Sequence, residues 1–469
     1  MTDLTQLSAC DIARLVRKHR ISATEIAQAY LERIDRLNPK LNAYIQVDRE
    51  GALAAAREID ARDPENPRLP LAGVPVSIKS SIAVRGFPWE CGSRLRESVR
   101  AEADAAVVDR LRQAGAVVLG VTNVPEFLMA WETDNALYGR THNPWDPEYT
   151  AGGSSGGESA AIAAGLSAGG IGSDGGGSIR VPAHFTGICG LKPTPGRIPA
   201  TGHFPVSAGP FASLGVLGPM ARTVSDVVRL YEAVAGPDDG DPSSAPVPVT
   251  SAKKKKLRGM TIGYFETDGE VPVSPETRSA LRRARQALEG QGCTVREFTP
   301  GGLGDIYRLW WNLFGRAIGT LLQPIVQGRE LDLSATLRQF STYVENGPAL
   351  TRDELMDTLL RRDALRSGLL REMQDFPVLL CPVAAVSAFR HGEREWRIEG
   401  RRVRYLDAWR YAAWFNLTGN PAISVPVPGI AERPVGVQIV GRPWAEATVL
   451  GIAALLEEAV GIHPSPVLD

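Results

Sequence analysis

A lysine, three serines and a row of glycines are the residues of this chain whose types and spacing could do chemistry. Lys79 ends the apolar run GVPVSIK, Ser154 and Ser155 sit in GGSSGG, and Ser178 closes GSDGGGS. Between Gly152 and Gly177, 11 of 26 positions are glycine. A serine hydroxyl is a poor nucleophile and needs a base. No histidine stands in a convincing position to serve, which leaves a lysine whose ammonium has been made acidic by burial. Moving such an amine from about 10.4 to near 7 costs roughly 4 to 5 kcal/mol, at about 1.36 kcal/mol per unit. A lysine ending a buried strand could meet that demand, whereas a lone strand-end lysine would ordinarily carry its charge out to solvent. Gly175, Gly176 and Gly177 allow successive backbone N–H groups, with that of Ser178, to converge on one point and bind an oxyanion. A nucleophile and an oxyanion hole on one loop are what acyl transfer requires.

Other readings of the glycine stretch are testable. A linker would be polar and lead into a new core, but these glycines flank the apolar segment SAAIAAG and run into IRVPAHF. Gly170, Gly172 and Gly175 satisfy G-x-G-x-x-G, yet the match follows LSAG instead of a β-branched strand and opens into GGSIRVP instead of a helix. Gly152, Ser154 and Gly156 form the nucleophile-elbow pattern G-x-S-x-G, which would pair Ser154 with an acid and a late histidine such as His463. The preceding NPWDPEYTA does not read as the strand such an elbow needs.

The elements that must position these residues are legible in part. SATEIAQAYLERIDRLNP opens with a Ser22/Glu25 capping box and repeats apolar residues at helical spacing. LAGVPVSIKSSIAV reads as a buried strand, DAAVVDRLRQAGAVVLGVTN as helix, turn and strand, and GESAAIAAGLS as a helix of small residues. VPAHFTGICGLKPTPGRIP looks like core strand and loop, residues 236–250 like a surface excursion, and KKKK at 253–256 like a solvated face ahead of the strand MTIGYF. Residues 275–375 are mostly helical in pattern. Trp310, Trp311 and Phe314 within them read by default as core, with a substrate pocket as the alternative. FPVLLCPVA, NPAISVPVP and PVGVQIVGR are three further strands, and EATVLGIAALLEEA a closing helix.

Composition bounds the rest. With 469 residues, 43% hydrophobic and 22% charged, and a formal charge of -1, the chain has ordinary globular makeup and no bulk attraction for nucleic acid or anionic lipid. No apolar run approaches the roughly 18 to 20 residues that cross a bilayer, and the N-terminus lacks an apolar segment behind a basic start, so no membrane partner and a cytoplasmic location are expected. Cys10, Cys91, Cys189, Cys293 and Cys381 are odd in number, far apart and read as buried thiols. The six histidines show no ligand spacing, so neither a metal nor another cofactor is expected. With no internal repeat or linker, residues 1–469 read as one domain. Within it, a core over 60–235 would carry the chemistry, and a variable, mainly helical region over 236–400 would shape the pocket.

At GVPVSIK, GGSSGG and GSDGGGSIRVP the chain resembles the amidase signature family, and the likeness extends through TNVPEF, THNPWDP, GICGLKPTPGRIP, GPMARTVSDV, NLTGNPAISVP and PVGVQIVGRP. The resemblance implies an α/β fold in a single large domain, a central mixed β-sheet covered by helices on both faces. It implies a Ser-cisSer-Lys triad in which Ser178 is the nucleophile, Ser154 the bridging serine in a cis peptide, and Lys79 the base. Gly175, Gly176, Gly177 and Ser178 would hold the oxyanion, with Ser155, Asp174 and Arg180 in support, the last two as an ion pair bracing the loop. The family's usual Asp after the lysine is replaced here by Ser80, followed by Ser81, which removes a carboxylate that would favour charged lysine. Glutamine-hydrolysing subunits of tRNA-dependent amidotransferases share the fold and hold glutamine's amine with an acid seven positions before the Asn of N-L-[AT]-G; that position here is Trp409. A free-standing hydrolase is therefore expected, a monomer or homodimer cleaving small apolar or aryl amides, carbamates or esters. Leu128, Met129, Trp131 and Trp409 are expected near its pocket, with Trp414 a further candidate.

Overall fold

The apolar runs become strands of one mixed sheet. The computed structural model describes residues 3–62, 69–207, 209–250, 257–338 and 350–468, so the lysine run at 253–256 lies outside the described residues. Eleven strands pair in the order Tyr44–Val47, Val117–Thr122, Pro75–Lys79, Gly169–Asp174, Val216–Ala221, Cys189–Lys192, Ala422–Pro426, Gly436–Gly441, Val378–Pro382, Thr261–Tyr264 and Thr294–Glu297. Pro75–Lys79 runs parallel to both neighbours, as do the three strands at the far edge among themselves. The strands between are antiparallel. Helices flank this sheet to give a single large α/β domain.

The helix Ala23–Leu41 carries the capping box of Ser22 and Glu25, and its apolar face, including Ile26, Tyr30 and Ile34, is buried. The glycine-rich segment hides two departures from the sequence reading. Gly169–Asp174 is a central strand, fully buried, although it lacks the β-branched residues that mark strands. Its glycines admit neighbours that a side chain would exclude: a Cβ on Gly170 would stand 1.9 Å from a Glu158 carboxylate oxygen. Arg180–Thr186, read as strand or loop, is a short helix. Pro182 falls in its first turn, where no helical N–H is lost, and Gly187 ends it at φ 78°.

Asp146–Thr150, ahead of the first serine loop, is also a strand, but it belongs to a two-stranded ribbon with His142–Asn143. It is not the central strand that a nucleophile elbow needs. The 236–250 segment is largely exposed, as the sequence suggests. Of the cysteines, four are buried and Cys10 is only partly so; all are free thiols. Two main apolar clusters result, one between the sheet and its helices and a second, rich in aromatic residues, that includes Trp131, Trp310 and Trp409. Among the described residues no helix is long and apolar enough to cross a membrane.

Candidate active site

Lys79 is fully buried at the end of its strand, behind Val76 and Ile78. Its Nζ lies 2.7 Å from Ser154 Oγ, 2.9 Å from Ser155 Oγ and 3.3 Å from the Ser173 carbonyl. Burial pushes the amine down to about 7, against the opposing pull of Cys91, Asp174 and Glu158. The Gly153–Ser154 peptide bond is cis. Ser155 opens the helix Gly156–Ala163; its N–H donates to the Ser178 carbonyl at 3.1 Å and its hydroxyl to the Ser173 carbonyl at 3.3 Å. Ser155 thus ties the lysine, the central strand and the second serine loop together.

Ser154 is 1% exposed and Ser178 8%. Both line a cavity whose walls include Phe127, Leu128, Met129, Phe211, Leu217 and Phe314. Of the two, the better exposed Ser178 is the one placed to meet a ligand.

The Ser178 loop is held by a buried ion pair. Arg180 meets Asp174 through two bonds of 3.0 Å, with both side chains fully buried. Burial alone would raise Asp174, but Arg180 holds it well below the usual carboxylate range. Arg180 also donates to Asn416 at 2.6 Å and to Gln438 at 3.0 Å, and Asn416 donates back to Asp174 at 3.0 Å. The segments NLTGNP and PVGVQIVG, remote in sequence, therefore meet at this pair. A buried ion pair keeps its charges at tolerable cost only when its remaining hydrogen-bonding capacity is filled.

The Gly177 N–H donates to Asp174 at 2.7 Å, so Gly177 is withdrawn from the expected oxyanion set. The amides of Gly175, Gly176 and Ser178 donate to no acceptor among the described residues. Behind the loop stand two indoles. Trp310 Nε1 donates to the Gly175 carbonyl and Trp131 Nε1 to the Gly176 carbonyl, each at 2.9 Å. The bond to the Gly175 carbonyl turns the N–H of the same peptide, that of Gly176, to the opposite side, whereas the peptide of the Gly176 carbonyl carries the Gly177 N–H already given to Asp174. The glycines are also required by packing: a Cβ would stand 2.4 Å from Phe314 Cε2 at Gly175 and 2.4 Å from Trp310 Cζ2 at Gly176.

Of the expected pocket residues, Leu128 and Met129 line the cavity, while Trp131 and Trp409 do not. Trp131 backs the loop. Trp409 is fully buried and stacked on Trp131 at 5.3 Å, with Phe185, Phe389, Tyr405 and Trp396 around it. Trp414 likewise packs in the core, against Phe265 and Phe415. Trp310 is core as the sequence suggests, and Phe314 is at once core and cavity wall.

The sequence reading passed over Glu158, Phe211 and His203. Glu158 is fully buried, accepts from Ser77 and, at 2.8 Å, from Thr122, and is pushed up to about 7 by burial. Its place in the glycine-flanked GESAAIAAG helix was the available signal. Ser80, in place of the usual acid, and Ser81 are buried, and among the described residues their hydroxyls have no hydrogen-bond partner. His463, the histidine a Ser154 elbow would need, packs edge-on against Trp145 at 5.0 Å and is absent from the cavity wall.

The chain belongs to the amidase signature family of amidohydrolases, whose Amidase family model matches residues 25–450; it is a hydrolase of carbon–nitrogen bonds. It is 37% identical to an acylamidase from Rhodococcus erythropolis, over 97% of this chain and 96% of that protein. It is 36% identical to a glutamyl-tRNA(Gln) amidotransferase component from Thermosynechococcus vestitus, over 96% and 97%. Among solved structures, a bacterial aryl acylamidase of the amidase signature family superposes with a TM-score of 0.87 at 26% identity, covering 98% of this chain and 97% of that one.

Proposed function

We propose that the protein is a free-standing serine amidohydrolase that cleaves apolar or aryl amides, and related carbamates or esters, through an acyl-enzyme on Ser178. The observation that carries this reading is the buried Lys79 amine, lowered to about 7, 2.7 Å from Ser154 Oγ on the cavity that Ser178 also lines. Neutral Lys79 takes the Ser154 proton while Ser154 takes that of Ser178, whose Oγ bonds to the substrate carbonyl carbon. The oxygen, now negative, is received by the free amides of the Gly175–Ser178 loop. Lys79 returns its proton through Ser154 to the nitrogen, the C–N bond breaks, and the amine leaves. Water then repeats the path and releases the acid.

The apolar cavity wall supports an apolar or aryl substrate. Trp409, at the position where amidotransferase subunits carry an acid, is buried off the cavity and supplies no carboxylate to hold an ammonium, which disfavours glutamine as substrate. The test is fluorophosphonate labelling of the wild type and of Ser178→Ala, alongside hydrolysis of a panel of p-nitroanilides, anilides, carbamates, esters and glutamine. Label on Ser178 with turnover of apolar amides is expected. Undiminished label or turnover in Ser178→Ala, or glutamine as the preferred substrate, overturns the reading.

A further inference from the structure

His203 lines the same cavity, and the relay of Lys79, Ser154 and Ser178 leaves it unused. Its backbone is bridged to Ile82, and on either side Ala83 N–H donates to the Gly202 carbonyl at 2.9 Å and Phe204 N–H to the Ser81 carbonyl at 2.8 Å. The histidine is thereby pinned to the segment that leaves the Lys79 strand. Its Nδ1 lies 2.9 Å from the Pro205 carbonyl oxygen. A carbonyl only accepts, so Nδ1 carries the hydrogen and, in a neutral ring, Nε2 keeps its lone pair. Burial, aided by the nearby Lys79 charge, pushes the ring down to about 4, so it is neutral at the pH where Lys79 becomes so. His203 is 8% exposed, and among the described residues its buried Nε2 has no hydrogen-bond partner. An acceptor left unmade in a buried place is destabilising unless a ligand completes it.

We propose that His203 Nε2 accepts a hydrogen bond from the N–H of the scissile amide and so selects substrates bearing that N–H over matched esters and N-alkylated amides. This rests on the acyl-enzyme reading above. When Ser178 adds to the carbonyl, the nitrogen becomes pyramidal and its lone pair must face Ser154 to be protonated. An acceptor holding the N–H fixes that orientation. The N–H proton stays on nitrogen throughout, the second proton comes from Ser154, and the neutral amine departs. An ester oxygen needs no such inversion and offers nothing to Nε2.

The test uses three substrates of one apolar acid, an anilide, its N-methyl anilide and the phenyl ester, with the full chain as wild type, His203→Asn and His203→Gln. Asparagine can keep the bond to the Pro205 carbonyl but puts no acceptor at the Nε2 position, whereas glutamine can place an oxygen there. His203→Asn is expected to lower kcat/KM for the anilide about 10- to 100-fold and for the phenyl ester less than about threefold, as for loss of one directed hydrogen bond. His203→Gln should recover most of the anilide rate. The N-methyl anilide should be poor for the wild type and no poorer for His203→Asn. Fluorophosphonate labelling, which involves no N–H, should be equal in all three proteins and reports an intact Ser178 and Lys79. Equal losses on anilide and ester, or no loss on either, overturns the role of His203 while leaving the acyl-enzyme intact. A wild type that neither labels nor cleaves any of the three removes the acyl-enzyme reading, and this inference with it. If His203→Asn fails to label, the anilide-to-ester ratio of His203→Gln decides: a ratio near wild type supports the role, and a ratio of about one-tenth or less with normal labelling overturns it.

Discussion

Two lysines of this protein occupy nearly the same environment and differ in what surrounds the nitrogen. Lys79 and Lys192 each end a strand of the main sheet, each is fully buried, and burial pushes each amine down to about 7. Lys192 Nζ donates to the Pro193 carbonyl at 2.9 Å and takes no part in the cavity wall. Lys79 Nζ meets two hydroxyls, one of them on the cavity. Desolvation makes both amines available as bases, but only a partner with a proton to give turns availability into chemistry. The comparison separates tuning from use.

The sharpest way to break it is to remove each amine in turn. Lys79→Met should lower kcat/KM on a cleaved amide by about 10⁴-fold or more, as for removal of a member of a catalytic unit, while Lys192→Met should stay within about threefold; comparable losses would erase the distinction. Next, the two hydroxyls beside Lys79 should be unequal. Ser154→Ala is expected to cost about 10³-fold and Ser155→Ala about tenfold, since only the former would carry protons while the latter supports by hydrogen bonds. Steady-state kinetics with equal losses would assign the relay to both.

A third expectation concerns pH. The base acts when neutral, so kcat/KM should climb about tenfold per unit below about 7 and level off above it, in the wild type and in Lys192→Met alike. Glu158 titrates in the same window, and Glu158→Gln should shift this limb without abolishing it. A rate that falls above neutrality would count against lysine as base.

The smaller effects are on stability and at the aromatic box. The folded state keeps Lys192 neutral down to about 7, whereas the unfolded chain protonates it below about 10.4. Proton binding therefore favours unfolding across that interval, with the full penalty present below 7 and absent above 10.4. Lys192→Met should add about 1 to 4 kcal/mol at pH 7, a range typical of replacing buried charge with apolar volume, and the gain should shrink toward pH 10 in urea titrations. Trp409→Phe, which deletes an indole N–H that has no partner among the described residues, should change kcat/KM by less than about threefold.

Lys79 and the serine loops were legible from residue types and spacing, whereas the Asp174–Arg180 ion pair was legible only through the family resemblance. The sequence concealed the Gly169–Asp174 strand, whose glycines answer to Glu158 and Leu230 across space and leave no periodicity to read. Trp131 and Trp409 were legible as aromatic, but whether an indole faces a cavity or the back of a loop depends on elements nearly 300 positions apart. His203 stands in no ligand or triad spacing, and its Nε2, unpartnered among the described residues, owes that state to packing alone.

The clasp around Arg180 joins residues 174 and 180 to Asn416 and Gln438. During synthesis the serine loops leave the ribosome some 250 residues before the last of these partners. The loop that carries Ser178 can thus gain its full set of bracing partners only after residue 438 has emerged.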